Sequence, residues 1–150
     1  MKTAPQQYRT VIDETANFVR KKMTGEASGH DWWHVYRVWN NAKKIAKGEW
    51  ADLYIIELAA LLHDIADHKF NNGDLKAGPE EAKQWLSKFD LSKNDIDHIC
   101  EIIEHISFKG ANVETPMRTI EGKIVQDADR LDALGAIGIA RCFAYGGLKQ

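Results

Sequence analysis

Histidine and aspartate stand side by side at His63-Asp64, where the strongly apolar run LAALLHDIAD ends. A second histidine, His34, lies upstream. A cluster of three aspartates lies further downstream, namely Asp127, Asp129 and Asp132. Two imidazoles plus two carboxylates form a mixed nitrogen and oxygen ligand set, which suits a six-coordinate ion such as Mn, Mg, Fe, Co or Ni and leaves positions for water. Water on such an ion loses a proton far more readily than bulk water, so these residues predict a hydrolytic metal centre.

Helices would have to position these side chains around one ion. His34 falls one residue before the apolar stripe of its helix, so it can point towards the interior edge. The side chains of His63 and Asp64 diverge by roughly 100° on a helix, so they can share an ion only if it sits beside the helix between their two directions. Asp127 and Asp129 are about 200° apart, so both can hardly face the same ion.

Helical periodicity dominates the remaining sequence. Apolar stripes with a spacing of three and four residues predict six helices, whose stripes begin near Tyr8, Val35, Leu53, Ala82, Ile96 and Ile120. Ser92 resembles a helix cap, and Thr115-Pro116 is expected to start the last of these helices. No long stretch alternates with a period of two, and no linker or repeat is visible. The sequence therefore predicts one all-α domain over residues 1–150.

Composition excludes several classes of protein. Of the 150 residues, 44% are hydrophobic, which is enough for a core without disulfides. The 20 basic and 22 acidic residues are interspersed, so a nucleic-acid polymer or an anionic membrane is not the expected partner. The first residues, MKTAPQQYRT, do not resemble a signal peptide. Two distant cysteines suit a reducing compartment, and we expect a cytoplasmic protein.

The order of these motifs resembles the HD superfamily of metal-dependent phosphohydrolases, whose pattern is H…HD…D. The resemblance covers about residues 29–147 and is closest to short bacterial HD-domain hydrolases, through GHDWWHVYRV, AALLHDIADHKF and VQDADRLDALGAIGIARCFAYGG. It implies a single helical HD domain with His34, His63, Asp64 and Asp129 as metal ligands. Asp127 and Asp132 are alternatives for the last ligand, or residues that support it. Many members of the group continue with further helices, so the chain is either a fragment or a shorter variant.

Other polar side chains extend the predicted site. Lys69 could bind a phosphate oxygen or polarise a leaving group, and Arg37, one turn after His34, could pair with a phosphate or an acidic ligand. His30 precedes a helix whose first amides favour anions. His105 could reach the metal or a substrate phosphate. We therefore assign catalytic roles to Asp64, Lys69 and Arg37, and substrate contacts to His30, His105 and Lys69.

The predicted function is hydrolysis of a small phosphate ester, with a nucleotide as the favoured substrate class. Two alternatives keep the same pocket: a non-catalytic module that senses a nucleotide, and a di-iron oxygenase of HD fold. Phosphate-binding glycine loops are missing, which disfavours P-loop enzymes and kinases. Substrate identity, metal identity, the number of ions and the oligomeric state are not encoded in a readable motif.

Overall fold

A computed structural model describes residues 6–25, 31–66, 76–106 and 113–148. Within these ranges the chain forms seven α-helices and one short 3-10 helix, and no strand is present. The helices are α1 (Gln6–Lys22), α2 (Trp32–Ile45), α3 (Leu53–Leu62), α4 (Ala77–Leu86), α5 (Lys93–His105), α6 (Ile120–Asp132) and α7 (Gly135–Leu148), with the 3-10 helix Ala46–Gly48 following α2. The all-α fold predicted from the sequence is confirmed.

Helix α3 lies at the centre of the fold. Every residue from Tyr54 to Leu62 except Glu57 is buried, and the helix packs against α1, α2, α5 and α6. A helix that is apolar on all sides has to be enclosed by other elements, and α3 meets that condition. Its carboxyl end lies in the interior, so the residues that follow it are held inside the protein as well.

Helices α1, α2, α5 and α6 each bury one face against this centre, whereas α4 packs on α5. Helix α5 buries Ile96, Ile99, Ile102 and Ile103, and it begins after Ser92, whose side chain accepts a hydrogen bond from the Asp95 amide as the sequence predicted. Such amphipathic helices gain most of their stability from packing their apolar face, because isolated helices of this length are marginal in water. None of the described helices is both long enough and apolar enough to span a lipid bilayer.

The predicted start of α6 is wrong by several residues. Thr115-Pro116 does not begin the helix; Thr119 caps it, by accepting a hydrogen bond from the Gly122 amide. Residues 113–118 instead run without regular structure alongside α6. Gln126 donates to the Thr115 carbonyl over 3.2 Å and Arg130 to the Thr115 hydroxyl over 2.5 Å. These hydrogen bonds from α6 itself hold Thr115 outside the helix.

A tight turn joins α6 to α7. Gly135 has a φ of 68°, which L side chains rarely adopt. Gly138 approaches the preceding backbone so closely that a Cβ atom there would lie 2.1 Å from the Ala133 carbonyl oxygen. Both glycines are therefore needed for this turn, which places Arg141 of α7 within hydrogen-bonding distance of Asp132 at the end of α6.

Candidate metal centre

His34 projects from the first turn of α2 into the interior. Asp31 caps this helix by accepting a hydrogen bond from the His34 amide over 2.9 Å, which fixes the start of the helix and the position of the ring. The side chain is completely buried. Its Nδ1 atom lies 2.7 Å from Oδ2 of Asp132. Since a carboxylate only accepts, Nδ1 of His34 must be the donor.

His63 directly follows the last residue of α3, and Asp64 lies in the same turn. The helix itself ends at Leu62, so the pair lies just beyond the helix. The His63 ring turns back so that Nδ1 donates to the Ala60 carbonyl over 2.8 Å. That hydrogen bond leaves Nε2 to face Nε2 of His34, 3.2 Å away.

Two carboxylates approach the same pair of nitrogens. Oδ2 of Asp64 lies 3.2 Å from Nε2 of His34 and 3.5 Å from Nε2 of His63. Oδ1 of Asp129, from α6, lies 3.3 Å and 3.7 Å from the same two atoms. One ligand atom each from His34, His63 and Asp129 can lie within 4.8 Å of one another, and among the described residues these three form the group that could hold a metal ion.

The hydrogen bonds outside this cluster explain why it favours a cation. Each ring donates its Nδ1 proton outside the cluster, His34 to Asp132 and His63 to the Ala60 carbonyl. A neutral ring therefore presents only a lone pair at Nε2. When the His34 ring is neutral, four acceptor atoms therefore converge on one another, so the arrangement needs a proton or a cation at its centre. Ligand atoms at about 2.1 Å from a divalent ion lie about 3.0 Å apart at right angles, close to the separations seen here. The donor set, two nitrogens and two carboxylate oxygens, fits the metal that the sequence predicts.

The electrostatics of the buried ring agree with this geometry. Burial alone would lower the pKa of His34, but its hydrogen bonds to Asp129, Asp132 and Asp64 outweigh burial and raise the pKa to about 10. Burial would likewise raise the pKa of Asp129, but the hydrogen bond with His34 and the nearby His63 hold it below its usual range. The pocket thus stabilises positive charge at Nε2 of His34. One proton there cannot serve three acceptors at 3.2–3.3 Å well, whereas a polyvalent cation can.

Asp132 joins the histidine to two arginines. Arg37, also from α2, donates from Nε to Oδ1 over 2.6 Å and from Nη2 to Oδ2 over 3.0 Å. Arg141 donates to Oδ2 over 3.1 Å. The side chain of Asp132 is buried, and its pKa lies well below the ordinary value: burial opposes ionisation, but the hydrogen bonds from His34 and Arg37 prevail.

The other predicted site residues lie in different surroundings. His30 and Lys69 fall outside the described residues. His105 is exposed on the last turn of α5, where its Nδ1 is hydrogen-bonded to the Glu101 carbonyl over 2.9 Å. Asp127 is exposed on α6. Of the acidic residues in the DADRLD segment, Asp129 is therefore the one that reaches both histidines.

Arg141 is the contact that sequence reasoning missed. It lies nine residues after Asp132, a spacing that would put the two far apart along one continuous helix. Only the turn at Gly135 brings them together. Two closely spaced glycines after the end of α6 indicate a possible turn in the sequence. They do not specify which residue after the turn contacts Asp132.

The helical fold and the histidine–aspartate cluster define a class of protein. The HD domain family model matches residues 32–134, more than half of the sequence. The chain belongs to the HD domain family.

Similar proteins share most of this chain. YpgQ of Bacillus subtilis (strain 168) is 43% identical over 139 residues, which are 91% of this chain and 67% of YpgQ. A crystal structure of B. subtilis YpgQ in complex with ADP superposes with a TM-score of 0.76 at 38% identity, covering 96% of this chain and 69% of that one. An HD-superfamily hydrolase from Bacillus thuringiensis gives a TM-score of 0.73 at 44% identity, covering 95% and 68%. The chain thus spans about two thirds of the length of these relatives.

Proposed function

We propose that this protein is a metal-dependent phosphohydrolase that acts on a small phosphate ester, with a nucleotide as the favoured class. Membership of the HD domain family and the likeness to an HD-superfamily hydrolase support hydrolysis. The ADP complex of B. subtilis YpgQ supports a nucleotide as the ligand.

The convergence of His34, His63, Asp64 and Asp129 carries this proposal. The two Nε2 atoms lie 3.2 Å apart, and the two carboxylate oxygens lie 3.2–3.7 Å from them. The four side chains come from three separate parts of the fold: α2, the turn after α3, and α6. Bringing these acceptors so close together costs free energy unless a proton or a cation lies between them. We therefore assign these four side chains as the ligands of a divalent ion, whose identity among Mn, Mg, Fe, Co and Ni the donor set leaves open.

Exposure indicates the side from which a substrate arrives. The side chains of His34 and His63 are essentially buried, whereas Asp64 keeps 14% and Asp129 keeps 26% of its side chain exposed. The histidines close the inner wall, and the carboxylates form the rim. When bound, a divalent ion supplies a Lewis acid that polarises a phosphoryl oxygen and activates water. Asp64 is proposed to orient the attacking water from this rim, through its carboxylate.

The predicted substrate contacts stay proposals of the same kind. Lys69 and His30 are proposed to offset charge on the phosphate, and Lys69 to assist the leaving group. His105 stays a predicted substrate contact. For Arg37 the structure suggests a different role from direct catalysis, because its guanidinium binds Asp132 through two nitrogens.

The first experiment measures phosphate release. Purified protein with Mn²⁺ should hydrolyse a generic phosphate ester or nucleotides from a small panel. His63→Ala and Asp64→Ala should reduce turnover by at least about 100-fold, because each removes a proposed ligand of the ion. Asp127→Asn, on the exposed side of α6, is the matched control and should retain wild-type turnover. Equal turnover in wild type and the two alanine variants would refute the proposal.

A nucleotide-sensing module is the second candidate, because the relative with a known ligand was crystallised with ADP, a nucleoside diphosphate. It predicts that ADP with Mn²⁺ raises the melting temperature of this protein by mass action while no phosphate is released. Stabilisation together with turnover would favour the hydrolase, so one thermal-shift assay run beside the phosphate assay separates the two candidates.

A further inference from the structure

Asp132 contacts three charged or polar side chains at the end of α6. It meets His34 and Arg37 from α2 and Arg141 from α7, all between 2.6 and 3.1 Å. It contacts Nδ1 of His34, whereas His63, Asp64 and Asp129 face Nε2 on the other side of the ring. Asp132 therefore cannot share the ion while it keeps this contact.

The chemistry of the contact specifies what Asp132 does to the ring. An ionised carboxylate accepts only, so the proton of a neutral His34 must reside on Nδ1 and the lone pair on Nε2. The hydrogen bond also fixes the rotation of the ring about its own axis. Without it, the proton could move to Nε2, where it would block metal binding.

The two arginines keep this acceptor ionised and in place. Arg37 holds both oxygens of Asp132 in a two-point contact, a geometry that restricts rotation of the carboxylate. Arg141 approaches from a third direction, from the helix that the Gly135 turn folds back. The carboxylate is thus fixed from two helices besides its own.

We propose that Asp132 is a positioning residue for the metal centre: it holds His34 in the tautomer and orientation that present Nε2 to the ion, and Arg37 and Arg141 hold Asp132. The inference rests on the proposed function, since it takes His34 as a metal ligand. It removes Asp132 from the candidate ligands, and it gives Arg37 a supporting role in place of a catalytic one. Residues that orient a metal-binding histidine in this way commonly change metal affinity by 10- to 100-fold.

Metal affinity tests the proposal directly. Calorimetric titration with Mn²⁺ measures the affinity of the wild-type protein and of Asp132→Asn. The variant should bind Mn²⁺ at least about 10-fold more weakly. Asparagine keeps the size of the side chain but offers one acceptor oxygen where N–H donors from three side chains converge. The matched control is Asp127→Asn, which removes an exposed carboxylate from the same helix and should bind Mn²⁺ as the wild type does. Equal affinity in Asp132→Asn and the wild type would overturn the proposal.

Two further measurements separate positioning from a merely structural role. With Co²⁺, Asp132→Asn should show an altered visible spectrum while its far-ultraviolet circular dichroism is unchanged. In the Zn²⁺-loaded protein, long-range ¹H–¹⁵N spectra should place the His34 proton on Nδ1 in the wild type. A proton on Nε2 there, or an unchanged Co²⁺ spectrum in the variant, would contradict the proposed role.

If Asp132→Asn does not fold, a variant of Arg141, which donates a hydrogen bond to Asp132, tests the same proposal. Arg141→Gln leaves His34 and Asp132 in place and should weaken Mn²⁺ binding several-fold, whereas Arg118→Gln, at an exposed position, should not. Identical affinity for the two arginine variants and the wild type would then overturn the proposal. If the wild type binds none of Mn²⁺, Co²⁺ and Zn²⁺, the proposed function fails together with this inference; if it binds and the variants match it, only the inference fails.

Discussion

At the scale of single residues, His34 carries the opposing demands of the site. Its ring is buried, which disfavours charge, yet it touches three carboxylates, which favour charge strongly enough to raise its pKa to about 10. Positive charge at Nε2 is thus the state for which the surrounding side chains are arranged. In the metal-free protein a proton supplies that charge, so a metal ion at the proposed site would compete with the proton for this atom.

This competition predicts a specific pH dependence. The raised pKa means that the proton on His34 stabilises the metal-free fold fully below its ordinary value of 6.5, and that this contribution is lost as the pH rises towards 10. Binding of Mn²⁺ must displace the proton, so apparent affinity should rise between pH 6.5 and 8.5, by up to about tenfold per pH unit. Calorimetry in buffers of different ionisation enthalpy should report about one proton released per ion.

A control variant tests whether the proton released on Mn²⁺ binding could come from a histidine outside the cluster. Replacing His98, which lies outside the cluster and pairs with Thr119, by glutamine should leave proton release unchanged. An affinity that does not vary with pH, and calorimetry without released protons, would contradict the competition between proton and ion at His34.

At the scale of helices, the turn between α6 and α7 determines whether Arg141 reaches the site. Gly138 has no room for a side chain, since a Cβ would lie 2.1 Å from backbone oxygen of Ala133. Backbone atoms cannot move aside as the end of a flexible side chain can. Any substitution there has to displace α7 from the end of α6.

The matched pair Gly138→Ala and Gly146→Ala tests this turn. Both positions lie in α7, but a Cβ at Gly146 meets nothing within 4 Å. Gly146→Ala should therefore be neutral or stabilise by up to about 1 kcal/mol, because alanine favours the helix. Gly138→Ala should destabilise by roughly 1–3 kcal/mol, the usual cost of overpacking. Urea unfolding measures both, and equal free energies of unfolding would show that the turn tolerates a side chain.

The helices also show what the sequence could and could not predict. Residue types and apolar surroundings pointed to His34 and to the pair His63-Asp64, and the resemblance to the HD superfamily selected Asp129. The structure brings these four side chains together. The start of α6 was missed because Thr115 and Thr119 both precede helical sequence, and only contacts from Gln126 and Arg130 decide between them. Local sequence patterns predict which segments are helical and which side chains could bind a metal. Where two residues could equally well begin a helix, contacts with side chains distant in sequence decide between them.

At the scale of the whole molecule, the site lies where the central helix α3 ends and where α2 and α6 meet it. Both histidines belong to the interior, so the geometry of the proposed ligands depends on packing of the entire core. The negative end of the α3 dipole also lies at Leu62, directly before His63, which favours a cation there.

Addition of a metal should therefore stabilise the entire fold. At a Mn²⁺ concentration 100 times the dissociation constant, mass action contributes about 2.7 kcal/mol. For a chain of this size that corresponds to a rise in melting temperature of roughly 5–10 °C, measurable by scanning calorimetry. His63→Ala should lose the rise, and Asp127→Asn should keep it. An unchanged melting temperature in wild-type protein saturated with Mn²⁺ would contradict a native site that spans three parts of the fold.

The separation of the proposed ligands along the chain has a further consequence. His34 and His63 are 29 residues apart, and Asp129 follows much later, so an ion between them closes two long loops of polypeptide. Such an ion would cross-link three distant segments of the chain, and the unfolded chain does not hold these ligands close enough together to bind it. Chelation would then loosen the segments carrying these ligands together, with hydrogen exchange accelerating in α2 and α6 before the buried body of α3 responds.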